Sequence, residues 1–192
     1  FKEYFVANVP LVAGNNTLQI VFHSNAKEAK LGNNGHNFDY VRLARSAVYD
    51  YDGNNEFVDA RYALIDKQLK MLSTSDGKPF VGEFDRNDLA EVRFFLRTTT
   101  DMQAALTLNM VPRGLNELIN DSFDIYVNGV AVLSDTVISG EFVGFENFVD
   151  YFVANIALKS GDNEILLVFK SNQHKNNGHN IGGIRLAPSE TA

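Results

Sequence analysis

The 192-residue chain contains no cysteine and no tryptophan, only four prolines, and fewer basic than acidic residues. Without cysteine there is no disulfide, no thiolate metal site and no cysteine nucleophile. Its 17 Lys and Arg against 24 Asp and Glu leave a net charge of −7, the wrong sign for a partner built of phosphates. No run approaches the ~20 apolar residues that a spanning helix needs, so neither nucleic-acid binding nor membrane insertion is expected. Few prolines and no low-complexity stretch exclude a long flexible linker. The lack of thiols suits an exported protein, extracellular or at the cell surface. Beginning at Phe1 with no leader-like segment, the chain reads as a piece of something longer. At 45% hydrophobic residues it can bury a real core.

What the sequence does have is a copy of part of itself. Residues 1–25, FKEYFVANVPLVAGNNTLQIVFHSN, match residues 148–172, FVDYFVANIALKSGDNEILLVFKSN, with 13 of 25 positions identical. NNGHNFDYVRLA (33–44) matches NNGHNIGGIRLA (176–187) with eight of 12 identical. The offset of 147, falling to 143 after a four-residue gap, sets a repeat of about 145 residues, the size of a small domain. Residues 46–192 then form one complete module, and residues 1–45 are the C-terminal part of a preceding one. Residues 1–45 could instead supply strands to a partner by domain swapping.

Within the unit, period-two alternation dominates. In 88–99, Val92, Phe94 and Leu96 alternate with Arg93, Phe95 and Arg97; in 105–111, Leu106, Leu108 and Met110 alternate with Thr107 and Asn109. Phe123–Val127 runs into Asn128–Gly129, a strong hairpin signal. Ile165–Phe169 follows a turn-forming Ser160–Asn163, and Leu18–Phe22 repeats that pattern. Short strands with frequent turns predict an antiparallel sandwich. Residues 57–72 leave a helix and a loop-and-strand arrangement both open, because Tyr62, Ile65, Leu69 and Leu72 fall at helical spacing.

Several motifs together resemble carbohydrate-binding modules of families 6 and 35. They are LVAGNNTL (11–18) with NFDYVRL (37–43), their second copies LKSGDNEI (158–165) and NIGGIRL (180–186), the segment KPFVGEFD (78–85), and the Val127–Asn128–Gly129 hairpin. The resemblance implies an all-β fold, a two-sheet antiparallel jelly-roll sandwich of the galactose-binding-like type, with sugar held by loops at one end. It implies Asn180 as a polar contact to sugar hydroxyls, with His179 beside it, and Asn37 and His36 in the partial copy. A carboxamide can both donate to and accept from a vicinal diol. Aromatic side chains would stack on the sugar face. With no tryptophan, that role falls to Phe142, Phe145 or Phe148, of which Phe145 is the candidate. The resemblance also implies a structural Ca²⁺ held by Asp50 and Asp52, with Asp39 as last-loop ligand in copy one; copy two has Gly182 there and loses a carboxylate.

Each of these has a plainer reading. Asn-Asn-Gly-His-Asn can simply build a tight turn, and the run Phe142, Phe145, Phe148, Tyr151 and Phe152 can be inward core packing. No nucleophile elbow, zinc spacing or opposed pair of acids supports catalysis. The expectation is a non-catalytic carbohydrate-binding module, one tandem repeat of a larger exported glycan-binding or glycan-degrading protein, with polysaccharide as partner. The alternative is a structural or adhesive surface module that self-associates by domain packing or strand swapping.

Overall fold

The computed structural model describes residues 15–21, 41, 48–66, 69–82, 84, 89–111, 122–138, 144–170 and 179–189. The chain divides into two compact units, Phe1–Arg45 and Ser46–Ala192. In the first unit Leu18, Ile20 and Val21, read above as strand, lie outside any regular element and are exposed. The equivalent strand in the second unit is hydrogen-bonded on both sides. Alternation supplies the apolar face of a strand, and only a partner supplies the ladder.

The described residues of the second unit form a sandwich of two six-stranded sheets, the strands numbered in chain order. The back sheet runs β1 (Val48–Asp50), β6 (Ala90–Thr98), β11 (Gly161–Lys170), β8 (Ser122–Val127), β9 (Val130–Thr136), with β3 (Ala63–Ile65) also on β6. The front sheet runs β10 (Val149–Leu158), β7 (Met102–Val111), β12 (Asn180–Pro188), β5 (Pro79–Gly82), β4 (Lys70–Ser73), with β2 (Glu56–Asp59) on β12. Among the described residues every pairing is antiparallel except β1 with β6. The fold is the expected all-β jelly-roll sandwich.

The described residues of 57–72 fall into β2, one 3₁₀ turn at Ala60–Tyr62, β3 and β4. The turn is capped by Asp59, whose carboxylate accepts from the Arg61 amide at 2.8 Å. The helical spacing there was incidental. Asn128 (φ 50°) and Gly129 (φ 77°) are both left-handed, as a type I′ turn requires, and they set Val127 opposite Val130. At the β10–β11 turn, Asn163 is drawn inward. Its side chain bonds both the amide and the carbonyl of Lys159 at 2.8 Å, closing the hairpin from inside.

The core follows the alternation. Phe94 and Leu96 of β6, Leu106, Leu108 and Met110 of β7, Phe123 and Ile125 of β8, and Ile165 and Phe169 of β11 all point between the sheets and are closed to solvent. Phe169 packs its ring against Phe84 and Phe123, with centroids 5.3 and 5.2 Å away. Removing one such side chain costs about 3–5 kcal/mol.

Candidate functional site

Of the residues expected to meet a ligand, Asn37, His36 and Asp39 lie outside the described residues, as does Phe142. His179 is 2% exposed, its ring edge-on to Phe123 and Phe169. Asn180 is buried as well. Its Nδ2 donates to the Phe145 carbonyl at 2.7 Å, and its Oδ1 lies close over Gly82. Both side chains therefore hold the end of the sandwich together and do not face solvent. Phe145, in contrast, is 63% exposed on the loop that Asn180 anchors. Glu146 ties that same loop to the turn before β5, accepting from the Ser75 amide and hydroxyl at 3.0 and 2.6 Å. Phe148, half-buried, stacks toward Phe80 at 5.8 Å and covers the bare backbone of Gly182.

The aromatic run is split by direction. Tyr151 lies opposite Leu108 and packs on the core, whereas Phe152 lies opposite Thr107 and is 58% exposed. A bulge between Phe152 and Ala154 returns the rest of β10 to the core register. Phe152 therefore stands on the outer face of the front sheet.

Register builds this face across four strands. One row reads Phe152, Thr107, Arg185, Phe57 from β10 through β7 and β12 to β2. The row beside it reads Asp150, Asn109, Gly183, Asp59, and the one on the other side Asn155, Ala105, Ala187. Arg185 holds the centre. Its Nε donates to Asp150 Oδ2 at 3.0 Å and its guanidinium lies 5.4 Å from the Phe57 ring centroid, a cation–π contact. Asn109 Nδ2 donates to Asp150 Oδ1 at 2.7 Å. The outcome is a shallow floor of small residues, a fixed acid–base–amide group in its middle, and a phenylalanine at each side. Three strand spacings of ~4.8 Å put those rings on the order of 14 Å apart. Phe57 and Arg185 were not singled out from the sequence. For Arg185 and Phe152 the signal was present, because the other copy repeats Asp150, Phe152 and Arg185 as Glu3, Phe5 and Arg42.

The described residues do not fit the implied Ca²⁺. Asp50 and Asp52 are both exposed, and Asp52 Oδ1 accepts from the Asn54 amide at 2.9 Å, which holds its carboxyl below the usual carboxylate value. The Tyr51 hydroxyl is buried with no hydrogen-bond partner among the described residues. Burial, helped by Glu56 and Asp52, pushes this phenol up to about 12, so it stays neutral. Gly182, at the place of the copy-one aspartate, brings no carboxylate, and a Cβ there would press on the Asn109 side chain and lie 3.0 Å from the Phe148 ring. Among the described residues no group of three or more His, Asp or Glu side chains could hold a metal ion, where a hard cation takes about six to eight oxygens.

No protein-family model and no curated protein matches the sequence. Solved structures do match, modules of families 35 and 6 among them. A family 35 module from Paenibacillus barcinonensis is 18% identical with a TM-score of 0.53, covering 71% of this chain and 100% of that one. The GH26-CBM35 β-(1,4)-mannanase of Podospora anserina is 14% identical with a TM-score of 0.52; the match covers 73% of this chain and 29% of the mannanase. The insecticidal crystal protein Cry2Aa is 14% identical with a TM-score of 0.57, covering 73% of this chain and 23% of that protein. At these identities the likeness speaks for the fold alone: a two-sheet jelly roll of the kind found in carbohydrate-binding modules of families 35 and 6.

Proposed function

We propose that Ser46–Ala192 is a non-catalytic carbohydrate-binding module that takes a neutral polysaccharide on the outer face of its front sheet. The reading rests on one observation. Phe152 is more than half exposed beside the Arg185–Asp150 pair, and the other copy repeats all three positions as Phe5, Arg42 and Glu3. A singly exposed ring is ordinary on a protein surface; what sets Phe152 apart is its row, which ends across the sheet in a second exposed ring, Phe57, with the Arg185–Asp150 pair between them. Flat rings at both sides suit the C–H faces of sugars, and the carboxylate, guanidinium and carboxamide between them suit paired hydroxyls. The face carries Asp150 and Asp59 against Arg185 and Arg61, a balance that favours an uncharged chain. The neighbours whose names state that they are carbohydrate-binding modules support the same reading.

In this reading Asn180 is a positioning residue for the Phe145 loop and does not itself meet sugar. The duplication is that of a tandem array in a larger exported protein, where weak sites gain avidity by repetition. Affinity electrophoresis of the full chain through gels containing neutral β-linked polysaccharides tests it. Retardation by at least one of them is expected, and loss of it on Phe152→Ala; no retardation by any of them, or retardation that survives Phe152→Ala, contradicts it. A second reading, an adhesive surface module assembling by packing, is favoured by β10, which ends the front sheet among the described residues with Val149 and Phe152 exposed. Concentration-dependent sedimentation without glycan binding would distinguish it.

A further inference from the structure

The chain contains two versions of the sequence of its last strand, and the sandwich must take one of them. Residues 180–187, NIGGIRLA, make most of β12, in the middle of the front sheet between β7 on one side and β2 and β5 on the other. Residues 37–44, NFDYVRLA, repeat it with four identities and a Val for Ile184. The repeat continues upstream, where Leu18, Ile20 and Val41 correspond to Ile165, Leu167 and Ile184. Those three are buried in the second unit, at 0%, 1% and 1% exposure, whereas Leu18, Ile20 and Val41 are each more than half exposed. The first copy thus offers apolar faces of the kind this sandwich buries. Tethered on one chain it does so at high effective concentration, the condition under which repeat proteins misassemble by exchanging elements.

The sharpest differences between the two sequences are Gly182 and Gly183, against Asp39 and Tyr40. Their surroundings constrain the two glycines differently. A Cβ on Gly182 would collide with Asn109 Oδ1 and press on Phe148. A Cβ on Gly183 would collide with the backbone carbonyl of Val58 and lie 2.9 Å from Asp59 Cα, at a φ of +157°. The first obstacle is side chain and can give a little. The second is the backbone of β2, which can yield only by leaving the sheet. Ile181, buried beside them, is Phe38 in the other copy, a further overfilling.

We propose that Gly182 and Gly183 are a strand-identity key: they let β2 and Asn109 close on the module's own last strand and make the sandwich reject residues 37–44. The bulge between Ile181 and Gly183 marks where the key sits in the ladder. Because the chain has no cysteine, engineered thiols report strand choice without background. Ala187 lies directly opposite Ala105 in the β12–β7 ladder, and Ala44 is the copy-one counterpart of Ala187. The full chain carrying Ala44→Cys/Ala105→Cys, unfolded in denaturant and refolded under oxidation, should form little cross-link. The same chain with Asp39→Gly/Tyr40→Gly and Phe38→Ile added should form about tenfold more, within or between chains. Ala105→Cys/Ala187→Cys, which should cross-link readily, confirms that the pair reports the ladder. Equal cross-linking with and without the copy-one changes overturns the proposal, as does its absence in both while the Ala105/Ala187 pair forms.

Discussion

The two outer faces of the sandwich are built from the same alternation and finish it differently. On the back sheet the outward charges are matched to one another. Arg93 bridges Glu91 and Glu164 at 2.5 Å each, Arg97 meets Asp162 at 2.7 Å, and Lys170 lies 2.7 Å from Asp124 and 3.1 Å from Asp135. On the front sheet the pair Arg185–Asp150 stands on a small-residue floor flanked by Phe57 and Phe152. Among the described residues every exposed phenylalanine belongs to the front sheet or to the loop entering it. That difference, and not the fold, is what the proposed reading of the front face rests on.

The largest effect separates inside from outside. Phe169→Ala removes a wholly buried ring from between Phe84 and Phe123, and chemical denaturation should show a loss of about 3–5 kcal/mol. Phe152→Ala, the same change pointing outward, should leave stability within about 0.5 kcal/mol. Combined with Phe57→Ala it should weaken glycan retention about tenfold or more, read on the same affinity gels. If the double variant unfolds, the face is structural and the comparison fails.

Acid gives an intermediate effect, on the back sheet. Burial alone would raise the Asp124 carboxyl. The Lys170 ammonium, the Asp135 amide and the Tyr126 hydroxyl outweigh it and hold the group below its ordinary value of 3.8. A carboxyl depressed in the folded state contributes stability that is complete above the unfolded value and is lost as pH falls through the folded one. Thermal melts should therefore lose stability below that ordinary value, and Asp124→Asn should melt lower at neutral pH with a shallower further fall in acid. The smallest effect is a null. Arg97→Ala removes an exposed pair from the back face and should change neither melting temperature nor retention, since such pairs contribute little.

How much of this could be read beforehand depends on whether local pattern or tertiary closure decides. The strands β6, β7 and β8 and the Asn128–Gly129 turn are legible because alternation and φ-permissive residues act within a few positions. The direction that Asn180 and His179 face is not legible, for a different reason. They enter a central strand through a bulge, and whether such residues face out or in is set by what closes over them, here Phe145, Phe123 and Phe169. Phe152 was masked by its neighbours, since a run of aromatics does not announce which of them the register turns outward. Phe57 lay in the one stretch whose period was ambiguous, and register across β12 is what brings it to Arg185.

The most direct test is to map the contact on the protein. Titrating a neutral oligosaccharide into the isotopically labelled chain and following backbone amide shifts should perturb Phe57, Thr107, Phe152 and Arg185 together. The back-sheet amides of Arg93, Arg97 and Glu164 should stay still. Shifts gathered on the back sheet, or confined to the end loops and absent from the Phe152–Phe57 row, would contradict the account.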